Sequence, residues 1–116
     1  MNVAVIGAAG WVGRAVLENF SSRHVVRAFD YNPEAWEVYR EFHGNWDGEK
    51  VYGDISSFSD VYGVLEGMDA VVNLAAYFGD GKAPEDDPSP FLINVKGMWN
   101  ILESARQVNL MRIVQV

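Results

Sequence analysis

Three glycines near the start of the chain have the spacing of a phosphate-binding turn. Gly7, Gly10 and Gly13 are each separated by two residues; an apolar run leads into Gly7, and a helical pattern follows Gly10. In such a turn the first glycine permits the tight bend, the second lets a pyrophosphate lie against the backbone, and the third lets the helix pack close to its strand. Unpaired N–H groups at the start of the helix then face the anion. The pattern predicts a dinucleotide site, and a turn that binds nothing is the alternative.

A carboxylate follows the glycine turn at a useful distance. Asp30 stands 20 residues beyond Gly10, where a dinucleotide fold places an acceptor for the ribose hydroxyls. Tyr31 and Asn32 come next instead of Arg or Lys, so no neighbouring cation offsets the repulsion of a 2′-phosphate, which favours NAD over NADP. The alternative is that Asp30 caps the helix that starts at Pro33, although Asn32 is better placed for that.

Small residues end the fourth predicted strand. Ala75 and Ala76 there would let a ligand approach the backbone, and close packing of the strand on a helix is the less favoured alternative. The glycines, prolines and acids of residues 77–90 predict a mobile loop over the site.

The longest predicted helix carries a polar residue on its expected apolar face. Asn94 lies four residues before Met98 and eight before Leu102, so helical geometry turns it partly inward. A buried amide needs partners, and the pattern leaves open whether they are structural or functional. The expected apolar face consists of Leu92, Val95, Met98, Trp99, Leu102 and Ala105.

These residues must be positioned by alternating strands and helices. On the first helix Val12, Val16 and Phe20 face inward, and Arg14 is placed with the polar residues of the outer face. The pattern predicts one α/β domain over residues 1–116, a Rossmann-type doubly wound parallel sheet in the order 3-2-1-4-5, with its ligand crevice between strands 1 and 4. The predicted strands are residues 2–7, 24–30, 50–55, 69–76 and 111–116. The predicted helices are residues 11–20, 33–42 and 91–107, with one more that Ser56 or Ser57 caps and that runs to about residue 66.

Composition excludes several partners. The net charge of −7 argues against nucleic acid and anionic membranes, because both would repel the chain. The chain has no cysteine, and His43 has no second ligand nearby, so no metal site is expected. No apolar run approaches the length of a membrane span, and a cytoplasmic location is the default expectation.

Successive motifs resemble those of the extended short-chain dehydrogenase/reductases, the NAD-dependent epimerase/dehydratase proteins that act largely on nucleotide sugars and sugar acids. The resemblance covers the whole chain in the right order, and it rests on residues 7–13, Asp30, residues 53–55, residues 73–76 and residues 94–103.

The resemblance implies a role for each matching residue. Gly7, Gly10, Trp11 and Val12 would meet the pyrophosphate of NAD, and Asn94 would hold a water in the proton relay of catalysis. Asp30 would hold the adenosine ribose, Asp54 and Ile55 would flank the adenine, and Ala75, Ala76 and Tyr77 would line the path to the nicotinamide ribose. The predicted cofactor-binding set is Gly7, Gly10, Trp11, Val12, Gly13, Asp30, Asn32, Asp54, Ile55, Ala75, Ala76 and Tyr77.

Two departures from the family pattern matter. Ile6 stands where the family often has Thr, a small change for binding. The family's fifth strand leads to a Ser or Thr and then a Tyr-x-x-x-Lys pair, whereas this sequence reaches Val116 before either, and none of its five tyrosines has a Lys four residues on. In the family chemistry that Tyr moves the substrate proton while hydride is exchanged with the nicotinamide.

The chain is therefore expected to be the front part of a longer enzyme, truncated after its fifth strand, that binds cofactor without turning over substrate. The last strand would present an open edge that favours pairing, and a homodimer is expected for the full-length protein. The alternatives are a non-catalytic NAD(H)-sensing module and a domain that binds a nucleotide-linked methyl donor.

Overall fold

Strand and helix alternate along the chain in the computed structural model, which describes residues 1–79 and 85–116. The five strands form one parallel sheet in the order β3-β2-β1-β4-β5, which confirms the predicted order. The elements are β1 (Asn2–Ile6), α1 (Trp11–Phe20), β2 (Val25–Asp30), α2 (Pro33–His43), β3 (Glu49–Tyr52), α3 (Phe58–Leu65), β4 (Ala70–Asn73), a π-helical segment (Phe91–Lys96), α4 (Gly97–Gln107) and β5 (Arg112–Gln115).

The central strand β1 divides the core into two layers. Successive side chains of a strand point to opposite faces of its sheet. Val3 and Val5 accordingly pack on one face with Leu17 of α1, while Ala4 and Ile6 belong to the cluster on the other face. Every residue named here is almost completely buried. Helices thus cover both faces of the sheet, as parallel strands require.

Two helices begin where the sequence predicts. The side chain of Asn32 accepts a hydrogen bond of 2.9 Å from the N–H of Glu34, with Pro33 in the first turn of α2. Ser57 caps α3 by accepting from the N–H of Asp60 at 3.4 Å. These caps fix where the chain re-enters a helix after β2 and after β3.

Two strands end three residues earlier than predicted. β4 stops at Asn73: the N–H of Leu74 still donates to the carbonyl oxygen of Ile6 at 2.9 Å, but the N–H of Ala75 donates to the side-chain oxygen of Asn73 at 3.1 Å. β3 stops at Tyr52. Both early ends free the following residues to line a cavity at the edge of the sheet.

The predicted apolar face of the last helix is correct for Ala105, which is buried, but wrong for its exposed members. The chain forms a π-helical segment over Phe91–Lys96 before α4 begins, so a period of 3.6 residues does not carry through the junction. Val95, Trp99 and Leu102 are about half exposed. The buried residues of α4 are instead Gly97, Asn100, Ile101, Ser104 and Ala105.

The loop predicted over residues 77–90 is described only in part, because residues 80–84 fall outside the described residues. Within the described part of the chain, no helix combines the length and apolar character needed to cross a membrane.

Candidate functional site

A cavity of about 890 Å³ opens at the carboxyl ends of the strands. It lies beside β1 and the segment that follows β4, where the order of winding reverses and open α/β sheets bind ligands. All twelve residues of the predicted cofactor-binding set line this cavity. A smaller cavity of about 170 Å³ between α2 and β3 contains none of them.

The glycine turn is packed so tightly that side chains are excluded. Gly7 has φ +78°, and a Cβ there would lie 2.8 Å from the backbone nitrogen of Ala75. A Cβ on Gly13 would lie 2.4 Å from the carbonyl oxygens of both Gly7 and Ala8. The backbone of the turn is therefore brought close to the end of β4 on one side and to α1 on the other.

The start of α1 is open to an anion. Gly10 is its N-cap, so no side chain accepts from the N–H groups of the first turn, and that turn contains no acidic residue. Trp11 and Val12, which begin the helix, line the cavity. Free amide donors and the positive end of the helix dipole are the groups that bind phosphate.

Asp30 lies at the end of β2 beside the turn. Its side chain is 8% exposed; Oδ2 accepts a hydrogen bond of 3.0 Å from the N–H of Ala9, and Oδ1 accepts one of 3.3 Å from the N–H of Asn32. An ionised carboxylate has about four acceptor positions, so capacity remains for ligand hydroxyls. Asn32 caps α2 and also lines the cavity, which resolves the competing interpretation of Asp30 as the cap.

The loop after β3 forms another wall. The Oδ1 atom of Asp54 accepts from the N–H of Ser56 at 2.8 Å, and the N–H of Asp54 donates to Oδ2 of Asp60 at 3.0 Å. Ile55 is buried, whereas Asp54 is exposed at the cavity. This arrangement provides an apolar and an acidic surface side by side.

Asn94 is not where helical periodicity placed it. It is exposed, because it lies in the π-helical segment and not on an inward face of a regular α-helix. Its Oδ1 accepts from the N–H of Tyr77 at 2.8 Å, and its Nδ2 donates to the carbonyl oxygen of Tyr77 at 2.9 Å. Asn94 does not line the cavity itself but holds the backbone of a residue that does.

Tyr77 also joins this segment to the chain before the π-helical segment. Its hydroxyl lies 3.3 Å from Oδ2 of Asp87. The N–H of Ser89, 2.9 Å from Oδ1, is the largest influence that lowers the pKa of Asp87; hydrogen bonds from the Ser89 side chain and from Tyr77 add to it. The carboxylate therefore remains ionised and keeps these donors in place.

The sequence does not predict the burial of two residues near the site, Arg14 and Asn100. Arg14, assigned to the outer face of α1, is buried; its Nε donates to the carbonyl oxygen of Ala9 at 3.3 Å, and its guanidinium lies near the rings of Trp11 and Phe42. Asn100 is fully buried and contacts the loop after β3. Phe42 is distant in sequence, so spacing within α1 carried no signal for the burial of Arg14.

The fold and the glycine turn define a nucleotide-binding domain of the Rossmann type. The model of the NAD dependent epimerase/dehydratase family matches residues 3–116, and the chain belongs to that family, whose cofactor is NAD. Among curated proteins, none matches the chain in sequence.

Solved structures share the fold. A short-chain dehydrogenase/reductase superfamily protein from Agrobacterium tumefaciens with bound NAD is 29% identical with a TM-score of 0.81, over 99% of this chain and 32% of that one. Uronate dehydrogenase from the same organism is 24% identical with a TM-score of 0.77, over 99% and 40%. UDP-glucose-4-epimerase from Stenotrophomonas maltophila with bound NAD is 24% identical with a TM-score of 0.79, over 99% and 36%. The chain therefore spans between about a third and two fifths of these proteins.

Proposed function

We propose that residues 1–116 are the NAD-binding part of an NAD-dependent epimerase, dehydratase or sugar dehydrogenase. The observation that carries the proposal is the single cavity lined by the glycine turn, Asp30, Asp54 and the residues after β4. These groups come from four separate places in the sequence. A glycine turn with only a structural role would not require the other three groups beside it. Membership of the NAD dependent epimerase/dehydratase family supports the same ligand.

Each wall of the cavity suits one part of NAD. The uncapped start of α1 at Gly10 takes the pyrophosphate, since its N–H groups are free of side-chain acceptors and of acidic neighbours. Asp30 accepts from the adenosine ribose hydroxyls. Asp54 and Ile55 flank the adenine, and the segment from Ala75 to Tyr77 borders the nicotinamide ribose.

The carboxylate of Asp30 also sets the preference between cofactors. It lies at the position of the ribose with neither Arg nor Lys among the next two residues, Tyr31 and Asn32. A 2′-phosphate there would face a negative charge, and the chain is therefore proposed to bind NAD more tightly than NADP.

Catalysis requires more than these residues. Bound NAD supplies hydride transfer, while this chain binds and orients the cofactor. Asn94 fixes Tyr77 through two hydrogen bonds, and its proposed contribution to the proton relay is to support a water beside that segment. No Tyr-x-x-x-Lys pair occurs in residues 1–116, so the chain alone is proposed to bind without turning over substrate.

A nucleotide sugar or a sugar acid is the proposed substrate class. The names of two structural neighbours, a UDP-glucose-4-epimerase and a uronate dehydrogenase, favour these two chemistries. The full-length protein is proposed to form a homodimer. Exposed apolar residues of the π-helical segment and of α4, namely Val95, Trp99 and Leu102, are a surface that association would cover.

A second candidate is a non-catalytic module that senses NAD(H). The cavity suits either candidate, and the two differ in whether the natural protein has the Tyr-x-x-x-Lys pair. Measuring the intact mass of the natural polypeptide and sequencing it beyond Val116 discriminates between the two. A Ser or Thr followed by Tyr-x-x-x-Lys supports the enzyme, and a natural protein without that pair supports the sensor.

A fluorescence titration tests NAD binding directly. Trp11 is 81% exposed and lines the cavity, so NADH should quench its emission strongly. Trp11→Phe should remove most of that response. Trp99→Phe is the matched control, because Trp99 is also exposed but lies outside the cavity lining. Tighter binding of NADPH than of NADH would contradict the assignment of Asp30. Tighter binding of S-adenosylmethionine than of NADH would support the methyl-donor alternative.

A further inference from the structure

Three contacts join the start of α4 to the cavity loop, defined here as residues 53–57. The Nδ2 atom of Asn100 donates a hydrogen bond of 2.8 Å to the carbonyl oxygen of Ile55. One turn earlier, Gly97 lies against the Ile55 side chain, and a Cβ on Gly97 would be 3.0–3.1 Å from its carbons. The Nζ atom of Lys96 donates to the carbonyl oxygen of Ser56 at 2.7 Å.

These contacts hold a loop whose one backbone bond to the sheet, among the described residues, runs from the N–H of Gly53 at its start to the carbonyl oxygen of Asp30 at 3.3 Å. β3 ends at Tyr52 and α3 begins at Phe58, so the cavity loop lies between them. Its internal hydrogen bonds are local, from the N–H of Ser56 to Oδ1 of Asp54 and from the N–H of Ser57 to the Asp54 carbonyl oxygen. Local turns set the shape of a loop, but only contacts with other elements set its position relative to the sheet.

Asn100 is the buried member of the three contacts. It is completely inaccessible to solvent, and its Nδ2 satisfies the Ile55 carbonyl. Its own Oδ1 and the Oγ of Ser104, one turn later, are buried without a hydrogen-bond partner among the described residues. Burying polar side chains on a helix face costs free energy of folding unless those groups form hydrogen bonds. Among the described residues, the one hydrogen bond that the Asn100 side chain makes is to the cavity loop.

We propose that Asn100 is a positioning residue for NAD: by holding the Ile55 carbonyl, it sets the distance between the cavity loop and the end of the sheet where the adenine binds. This inference rests on the proposed function for the identity of the ligand. It adds that α4 fixes the adenine wall of the cavity, although Asn100 does not line the cavity. Lys96 supports the same placement through its exposed hydrogen bond to Ser56, and Gly97 does so by packing against the side chain of Ile55.

The test compares Asn100→Leu with Ser104→Ala. Leu has a similar volume and removes the amide, so the Ile55 carbonyl loses its donor. Ser104→Ala removes a buried polar group one turn along the same face, which no hydrogen bond ties to the cavity loop. Lys96→Met is the second variant; it removes an exposed contact and is expected to fold normally.

The first measurement is amide hydrogen exchange without ligand. In Asn100→Leu the exchange at Ser56 and Ser57 should rise by roughly tenfold, as expected for the loss of one buried hydrogen bond. The N–H of Ala75, which is bonded to Asn73 in another wall of the cavity, is the internal reference and should not change. Lys96→Met should show a smaller rise at the same two amides. Equal rises at Ser56 and Ala75, or no rise at either, would overturn the proposal.

The second measurement is binding of NAD, ADP and nicotinamide mononucleotide by titration calorimetry or by chemical-shift changes. Asn100→Leu should weaken NAD and ADP by roughly fivefold and leave the mononucleotide, which lacks adenine, unchanged. Ser104→Ala should bind like the unaltered chain. Equal weakening of ADP and the mononucleotide would reduce Asn100 to a general structural role. If the unaltered chain bound neither NAD nor ADP, the proposed function would fail, whereas the exchange result would stand on its own.

Discussion

The backbone N–H of Ala9 donates a hydrogen bond of 3.0 Å to Oδ2 of Asp30, which joins the glycine turn to the end of β2. The carbonyl oxygen of the same residue accepts from Nε of Arg14 at 3.3 Å. Both polar groups of Ala9 are therefore held within the protein. The turn has its shape before a ligand arrives, which lowers the ordering cost of binding.

Asp30→Asn keeps the size of the side chain but removes its charge. Hydrogen bonds to charged groups contribute about 1.5–3 kcal/mol, so the dissociation constant for NADH should rise by roughly tenfold or more. The preference for NADH over NADPH should shrink, because the 2′-phosphate no longer meets a carboxylate. Calorimetric titration with both cofactors measures the two effects.

Asp47→Asn is the matched control, since Asp47 is exposed on the segment before β3 and does not line the cavity. It makes the same change in net charge and should leave both affinities unaltered. If Asp30→Asn and Asp47→Asn behaved alike, net charge and not the ribose carboxylate would set the preference.

Gly13→Ala tests the close contact of α1 with the glycine turn. The added Cβ would lie 2.4 Å from two carbonyl oxygens, and backbone cannot yield cheaply. Overpacking of this kind costs about 1–3 kcal/mol, and the free energy of unfolding should fall by an amount in that range. Urea unfolding followed by circular dichroism measures it.

Gly63→Ala is the comparison, because Gly63 lies in α3 and a Cβ there meets nothing within 4 Å. Alanine is the better helix former by about 0.8–1.0 kcal/mol, so this variant should be more stable than the unaltered chain. A rise in stability of similar size in both variants would show that helix propensity, not the contact with the turn, governs Gly13.

The parts of the fold that sequence predicts well are set by short-range patterns. The spacing of Gly7, Gly10 and Gly13 reflects steric demands within one turn, and the structure shows those demands at Gly7 and Gly13 directly. Strand order follows from the general rules for right-handed crossovers and needed no particular contact. Capping by Asn32 and Ser57 is equally local, which is why both positions are correct.

The errors concern contacts between elements distant in sequence. The buried face of α4 contains Gly97 and Asn100, which contact Ile55. Apolar periodicity identifies the buried Ala105 but also selects Trp99 and Leu102, which are about half exposed. A π-helical turn before α4 shifts Asn94 to the surface, and no residue type in the sequence predicts such a turn. Asn94 and Asn100 therefore differ from expectation in opposite directions, one exposed and the other fully buried.

Asn94 offers a graded test of how the segment after β4 is held. Asn94→Ala removes both hydrogen bonds to Tyr77, so exchange of the Tyr77 amide should rise by roughly fivefold. Asn94→Asp keeps an acceptor for that N–H but cannot donate to the carbonyl when ionised, and its effect should be smaller. Hydrogen exchange resolved at Tyr77 measures both variants.

Asn19→Ala controls for the loss of an exposed amide, since the Asn19 side chain donates within α1, to the carbonyl oxygen of Ala15. It should not alter exchange at Tyr77. Should Asn94→Ala leave that amide as protected as in the unaltered chain, the contacts of Tyr77 elsewhere would be sufficient to hold the segment, and Asn94 would have no positioning role.

The acid range should reveal a carboxylate that is stabilised on the surface of α4. Glu103 accepts hydrogen bonds from Arg106 at 2.7 and 3.0 Å and from Gln107 at 3.0 Å, and these donors lower its pKa from 4.5 to about 2. A folded-state pKa below the unfolded value means that the stabilisation is present above pH 4.5 and is lost as the pH falls towards about 2.

Thermal unfolding of Glu103→Gln and of the unaltered chain should therefore differ most above pH 4.5 and converge as the pH approaches about 2. The difference should be small and should decrease with added salt, because the group is at the surface. Glu41→Gln, on the exposed part of α2, controls for the loss of one charge. A difference that stayed constant over the whole range would mean that Arg106 and Gln107 do not engage the Glu103 carboxylate in solution, since only its protonation makes the effect depend on pH.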